Sequence, residues 1–289
     1  MTCPFEVVGM FGTRPGGGSP LAVVHDADGL DDTTLRRMSG LLRTDETVFV
    51  LPPTTADATH RVRVFTARGE SPHGGHSAVG TAVALVRSRR LAPGRVVQQC
   101  GESLLELEAD ARQATVTAAG PWPSRALEAG PLLDAVGLRE RDRAPGSVLA
   151  AGFGPLFHLL PVRADAVSAA RPDEAAMAEG GLPDVFVFHW DEGSRTATAR
   201  LFAPGYAIGE DPACASVALA LGVWLADREL TSAQGAFRIE QGAELGRPAV
   251  LEGTISGGSA GGLTVTVTGQ APRELAGHLA VPAPDPTAA

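Results

Sequence analysis

The chain contains no lysine and no asparagine in 289 residues. Arginine therefore supplies all fixed side-chain positive charge. Without lysine there is no Schiff base to pyridoxal phosphate and no P-loop lysine, so whole classes of enzyme drop out. Cysteine is scarce: Cys3, Cys100 and Cys214 are too few and too scattered for a disulfide framework or a zinc cluster. Aromatic residues make up only 5%. No uninterrupted apolar run reaches the ~18 residues of a membrane span. Met1 to Arg14 lacks a charged region followed by an apolar one, so no signal peptide is expected, and a soluble cytoplasmic protein follows. The formal charge of -9 argues against nucleic acid and against an anionic membrane surface as partners. It leaves small anionic substrates open, because those answer to local charge.

What is present is an apolar fraction of 44%, enough for real cores, in a length that suits two domains of ordinary size. The bias toward Ala, Gly, Arg and Pro fits a GC-rich coding background and carries no functional message. The chain is organised around Gly209-Glu210-Asp211-Pro212-Ala213-Cys214-Ala215-Ser216. A strand-like run, Thr196 to Phe202, precedes it. An Ala/Leu/Val-rich segment, Ser216 to Ala226, follows and is long enough for a buried helix. Small residues at that helix start would let a ligand approach bare backbone N–H groups, which favours an anion.

The same arrangement occurs earlier. Arg63-Val64-Phe65-Thr66-Ala67 matches Arg200-Leu201-Phe202-Ala203-Pro204, and Glu70-Ser71-Pro72 matches Glu210-Asp211-Pro212. Both copies continue into small residues and then an apolar helical run, the first through Gly74-Gly75-His76-Ser77. Two similar half-domains follow, with their helix starts converging on one cleft if the halves face each other.

Strands are expected at Phe5–Phe11, Leu21–Val24, Glu46–Leu51, His60–Phe65, Arg95–Gln99, Ser103–Leu107 and Ala114–Thr117 in the first half. Helices are expected from Asp31 or Asp32 through Leu42 and from Ser77 to Arg87. Thr13 to Pro20 reads as a turn and Gly120-Pro121-Trp122-Pro123 as a linker. In the second half, strands are expected at Val148–Phe153, Leu156–Val162, Val185–Trp190, Thr196–Phe202, Phe237–Glu240, Val250–Ile255 and Leu263–Val267. Helices are expected around Leu132–Val136 and over Ala164–Ala178, broken near Pro172. Ala280 to Ala289 is Pro/Ala-rich and expected to fray. The fold class is α+β, with curled sheets wrapped on one central helix per half.

Four motifs then occur in one order: Asp45-Glu46-Thr47-Val48-Phe49-Val50, Glu70-Ser71-Pro72-His73-Gly74-Gly75-His76-Ser77, Glu210-Asp211-Pro212-Ala213-Cys214-Ala215-Ser216, and Glu240-Gln241-Gly242 to Arg247-Pro248. Together they resemble the phenazine-biosynthesis isomerase (PhzF-like) family, which shares the diaminopimelate epimerase fold. The resemblance implies two pseudo-symmetric domains, 1–120 and 121–270, with 271–289 as a tail packing back on the first. It implies an isomerase that needs no cofactor and no metal, acts on a small-molecule carboxylate of specialised metabolism, and forms a homodimer. It places the general acid/base on Glu46, with His76 and Asp211 as its catalytic partners. Substrate binding falls on Ser19, Gly75, Ser77, Ala213, Cys214, Ala215 and Ser216.

The sequence departs from the family pattern at several of these positions. Ser19 stands for Asn, Asp45 for Ser, and Ala213-Cys214-Ala215-Ser216 for Ala-Thr-Gly-Ser. Cys214 falls where the epimerases carry a catalytic thiol, but the partner thiol falls on Gly74, which disfavours a symmetric two-thiol racemase. Cys214 is either a base at a helix start, with a lowered pKa, or a small apolar residue that lines the pocket. A carboxyl at position 46, facing a half-buried cleft, would have its pKa raised by desolvation and so suit a proton shuttle near neutral pH. The His73/His76 spacing could hold a metal on a helix, but no third ligand is near in sequence. A binding protein without catalysis on the same fold is the remaining alternative.

Overall fold

A computed structural model describes residues 1–228, 234–257 and 262–282. The first lobe opens with β1 (Thr2–Met10) and β2 (Ser19–Val24), followed by α1 (Asp32–Leu42), β3 (Glu46–Leu51) and β4 (His60–Thr66). A short β5 (Gly69–Ser71) folds back on β4 and leads into α2 (Ala78–Arg87). Then come β6 (Gly94–Cys100), β7 (Ser103–Ala109) and β8 (Gln113–Gly120). The alternation of apolar and polar residues that suggested strands reflects one face turned to the helix and one to solvent.

The second lobe repeats the plan. The first repeat closes with β9 (Ser124–Ala126); after it α3 (Ala129–Ala135) leads to β10 (Leu149–Ala151), β11 (Phe157–Pro161), α4 (Ala164–Ala169) and α5 (Glu174–Glu179). Pro172 separates the last two, as the broken helical stretch suggested; it has no N–H to continue the helix. Next are β12 (Val185–Asp191), β13 (Thr196–Ala203), β14 (Ile208–Asp211), α6 (Ala215–Asp227), β15 (Gln234–Gln241), β16 (Ala249–Gly257), β17 (Leu263–Gln270) and β18 (Arg273–Ala280).

The pairing of strands is the same in both lobes. β2 and β3 run parallel, β3 and β4 antiparallel, β4 and β6 parallel, and β6, β7 and β8 antiparallel. In the second lobe β11 and β12 are parallel, β12 and β13 antiparallel, β13 and β15 parallel, and β15, β16 and β17 antiparallel. β8 pairs with β17 and joins the two. The α+β class with curled sheets is what the structure has.

Each sheet wraps one apolar helix. In α2 every residue from Ala78 to Val86 is buried, and α6 is buried over most of its length, Trp224 included. A helix apolar all round has to be covered on all sides. Gly80 shows how closely: a Cβ there would come within 2.7 Å of Met10 Cγ and Leu21 Cδ2.

Two strands cross between lobes. β9 leaves the first lobe and pairs with β10 of the second. β18 leaves the second lobe and pairs with β1 of the first, from Thr2 opposite Ala280 to Val8 opposite Arg273. Neither was read as a strand from sequence, because β9 is exposed throughout and β18 carries no apolar alternation. Two further readings need correction. Ser19 and Pro20 begin β2 rather than ending the turn, and β1 stops at Met10 because Phe11 takes a left-handed φ of 63°. Of the tail expected to fray, residues 283–289 lie outside the described residues. No helix among the described residues is long and apolar enough to cross a membrane.

Candidate active site

The repeated Arg and Glu residues build the site's frame. Arg63 on β4 forks onto Glu70 of β5 at 2.7 and 2.5 Å, and Arg200 on β13 forks onto Glu210 of β14 at 2.8 and 2.7 Å. Each guanidinium also lies over a ring of its own strand, Phe65 at 5.4 Å and Phe202 at 4.7 Å. Bidentate pairing of this kind fixes direction as well as distance. Each clamp closes a hairpin, and the hairpin delivers the chain to the start of the central helix.

The two helix starts meet. A Cβ on Gly75, three residues before α2, would sit 3.7 Å from Ser216 Oγ in the first turn of α6. Neither helix has a side-chain cap: Ser77 at α2 and Cys214 at α6 make no capping hydrogen bond. The first intrahelical donors are Thr81 N–H to Ser77 O and Ala218 N–H to Cys214 O. The N–H groups ahead of them, at Ala78 to Gly80 and at Ala215 to Val217, have no intrahelical acceptor. Two such ends pointing together favour a negative charge between them.

Beside them lies a cavity of about 660 Å³ between the lobes. Glu46, the first residue of β3, is on its wall and 7% exposed. Its Oε2 is buried without a hydrogen-bond partner, and so is Ser77 Oγ. Burial pushes the Glu46 carboxyl above the ordinary glutamate value, against the pull of the His76 charge. His76 Nδ1 is 3.6 Å from Asp211 Oδ2, and its Nε2 is 3.5 Å from Ser19 Oγ. Burial disfavours the protonated imidazole, but the Asp211 and Glu46 carboxylates outweigh it and hold His76 well above its usual value. Asp211 is 2% exposed; burial pushes its carboxyl up and His76 pulls it back. Its Oδ1 accepts from Ala213 N–H at 3.0 Å, and its carbonyl accepts from Gln241 Nε2 at 2.6 Å.

Of the residues expected from sequence, the structure brings Glu46, Gly75, His76, Asp211, Cys214 and Ser216 to the cavity wall. Ser19, Ser77, Ala213 and Ala215 are buried one layer behind it, Ser19 against His76 and Ala213 against Asp211. The His73/His76 spacing, set aside as a metal pair on sequence, does not lie on a helix: His73 is exposed and precedes α2. The set with metal-ligand character among the described residues is instead His76, Asp211 and Cys214, whose ligand atoms lie within 4.8 Å of one another. Arg247 turns away from the cavity, donating to Gly18 O at 2.7 Å and pairing with Glu274 at 2.6 Å.

Sequence reasoning missed part of the wall. Cys100, at the end of β6, lines the cavity next to Gly74: a Cβ on Gly74 would come within 3.0 Å of Cys100 Cβ and 3.2 Å of its Sγ. Burial pushes the Cys100 thiol up, which leaves it a neutral neighbour. Gln98, one turn of the strand earlier, donates to Gly74 O at 2.8 Å. Tyr206, the chain's single tyrosine, lies in the turn between β13 and β14 and faces the same space. That position inside the Glu210 hairpin was its one visible signal.

Comparison with known proteins finds relatives over nearly the whole chain. The family model for "Phenazine biosynthesis-like protein" matches residues 8–277. The chain is 31% identical over 271 residues to trans-2,3-dihydro-3-hydroxyanthranilate isomerase of Pseudomonas aeruginosa, covering 92% of this chain and 95% of that one. It is 29% identical over 292 residues to Antisense-enhancing sequence 1 of Schizosaccharomyces pombe, covering 94% and 97%. Among solved structures, a Bacillus anthracis phenazine biosynthesis protein of the PhzF family superposes with a TM-score of 0.84 at 19% identity, over 97% of this chain and 100% of that one.

Proposed function

This chain belongs to the phenazine biosynthesis-like protein family, and from that premise we propose that it is an isomerase that moves a proton on a small cyclic amino or hydroxy acid by general acid/base catalysis, without a cofactor. Support comes from relatives named as isomerases, the Pseudomonas aeruginosa protein above and one of Mesorhizobium japonicum at 30% identity. The reading of a binding protein without catalysis gives way to it.

The observation that carries the mechanism is the unpartnered Glu46 Oε2 on the cavity wall, buried beside the equally unpartnered Ser77 Oγ. A buried carboxylate with a free oxygen facing a cavity is a competent base. The substrate carboxylate lies between the starts of α2 and α6, held by their free N–H groups and by Ser216. Glu46 removes a proton from a carbon next to the conjugated system. The C–H electron pair moves into that system, the double bond shifts, and Glu46 returns the proton at the other end. His76, kept protonated by Asp211, offsets the negative charge that develops on the substrate. Acid/base help of this kind is worth about 10²–10⁴-fold.

A test uses trans-2,3-dihydro-3-hydroxyanthranilate and related ring acids with enzyme in D₂O, followed by NMR. Label is expected at one carbon with the native chain and at none with Glu46→Gln, which should still bind. Label uptake at near-native rates in that variant would remove Glu46 from the mechanism. One observation favours a second reading: Cys214 sits with His76 and Asp211 in one cluster. A one-thiol epimerase or dehydratase with Cys214 as base requires Cys214→Ser to be inactive and alkylation to be blocked by substrate.

A further inference from the structure

The cavity is built of two unlike parts. Its polar end holds Glu46, His76, Asp211, Cys214 and Ser216. The rest is apolar and comes from both lobes: Leu104 and Leu105 of β7 on one side, and Phe157, Leu201, Tyr206 and Ile208 on the other. Phe157 and Tyr206 stack with centroids 6.1 Å apart. Leu104 and Tyr206 are left 47% and 37% exposed, and they are among the few large apolar side chains open to solvent anywhere in the described chain. Apolar surface left open on opposite lips of one cavity is surface that a ligand can cover.

Size and charge narrow the ligand. About 660 Å³ is in the middle of the range, roughly 300–1,000 Å³, that holds drug-sized ligands. An acid of one small ring would sit at the polar end and leave the apolar part wet. Among the described residues no arginine reaches the wall, and His73 and His76 are the only ones there able to carry positive charge. The backbone N–H groups at the helix starts suit one carboxylate. A phosphate dianion would meet Glu46 and Asp211 with no guanidinium to balance it.

We infer that the substrate is a monocarboxylic acid whose reacting ring bears a further apolar or aromatic group, and that this group is clamped between Leu104 and Leu105 of one lobe and Phe157 and Tyr206 of the other. The inference rests on the reading of the polar end as the carboxylate and proton-transfer site. It makes Leu104 and Tyr206 determinants of specificity rather than of chemistry.

Calorimetric titration of the full chain with benzoate, biphenyl-3-carboxylate and biphenyl-3-yl phosphate tests it. The biphenyl acid should bind at least about tenfold tighter than benzoate, in line with the transfer of one ring out of water. The biphenyl phosphate should bind more weakly than the biphenyl acid. In Leu104→Ser and Tyr206→Ser, both at exposed positions, the gap between the two acids should shrink toward unity. Equal binding of the two acids, a gap that survives both substitutions, or a phosphate that binds as tightly as the acid each overturns the clamp. Deuterium uptake separates this from the isomerase reading. A biphenyl preference with no label entering any ring acid keeps the clamp and removes the isomerase. Label uptake by a small ring acid with no biphenyl preference does the reverse.

Discussion

The two lobes share one frame and differ in what they carry at matched positions. Register gives the match directly. Phe65 faces Glu70 and Val64 faces Ser71 in the first hairpin; Phe202 faces Glu210 and Leu201 faces Asp211 in the second. Ser71 thus stands where Asp211 stands, Gly74 where Cys214 stands, and His76 where Ser216 stands. One lobe offers the imidazole and the other offers the acid, the thiol and the hydroxyl. The proposed reaction centre forms only where they meet, so neither lobe has it alone.

The same register exposes a pairing that the sequence concealed. Thr47 faces Phe65 and Val185 faces Phe202, so Glu46, which opens β3, and Asp184, which directly precedes β12, occupy equivalent places. Both carboxylates are buried. Asp184 Oδ1 accepts from His158 N–H at 2.8 Å and lies 3.3 Å from its Nδ1. Asp184 Oδ2 and Glu46 Oε2 are both buried without a partner, so the His158 anchor on Asp184 Oδ1 is what sets the two apart. An equivalent acid is thus tied to a neighbouring strand in one lobe and faces the cavity in the other, which distinguishes a structural carboxylate from the proposed base.

The contrast can be broken most directly at these two acids. Glu46→Gln should lower turnover by about 10²–10⁴-fold, whereas Asp184→Asn should leave turnover within a few-fold and lower stability by about 1–3 kcal/mol, read from steady-state rates and urea unfolding. Comparable losses of turnover in both would end the distinction. Stability also has a signed pH dependence. Because the Glu46 carboxyl is raised on folding, the folded state keeps its proton where the unfolded chain has lost it, so this residue costs stability as pH climbs above the ordinary glutamate value. Glu46→Gln should therefore melt higher than the native chain at neutral pH, with the gap closing toward acid.

The two clamps give the next largest effect. The Arg200 side chain is 7% exposed and that of Arg63 is 22%. Arg200→Met leaves Glu210 buried and unpaired and should cost about 3–5 kcal/mol. Arg63→Met, at the more solvated clamp, should cost about 1 kcal/mol or less. Equal costs by urea titration would mean that burial does not separate the clamps. A smaller effect is expected on the pH profile. Asp211 helps to keep the proton on His76, so Asp211→Asn should move the alkaline limb of kcat/KM to lower pH, and a limb that stays in place would detach His76 from that limb. The smallest change is expected from Arg68→Ala. Arg68 crosses from the first hairpin to donate to the Pro204 and Gly205 carbonyls, each at 2.6 Å; its loss should change unfolding by less than about 1 kcal/mol and show as faster hydrogen exchange in the β13–β14 turn.

The frame was legible because its signals are local. Arg-x-Phe, Glu-x-Pro and the small residues before an apolar helix sit close together in the chain and recur in order. The helix-start side of the polar end followed from them, while Glu46 was placed by the family resemblance. The apolar half did not, because Leu104, Leu105 and Phe157 belong to strands far from those motifs and reach the cavity only through the way the lobes pack. Cys100 was hidden for the same reason: it meets Gly74 across the sheet, and no spacing announces it. The crossing strands were missed because their stability comes from partners distant in sequence rather than from their own pattern. Glu46 and Asp184 escaped pairing because their flanking residues differ; only strand register aligns them.

The exchange of β9 and β18 has a consequence for biosynthesis. As the polypeptide emerges from the ribosome, β1 finds β2 at once, but its outer edge stays open until β18 has been made, nearly the whole length of the chain later. An open strand edge invites pairing with other molecules. Halves produced as separate fragments would each carry such an edge, and when mixed they would have to trade a strand to close it.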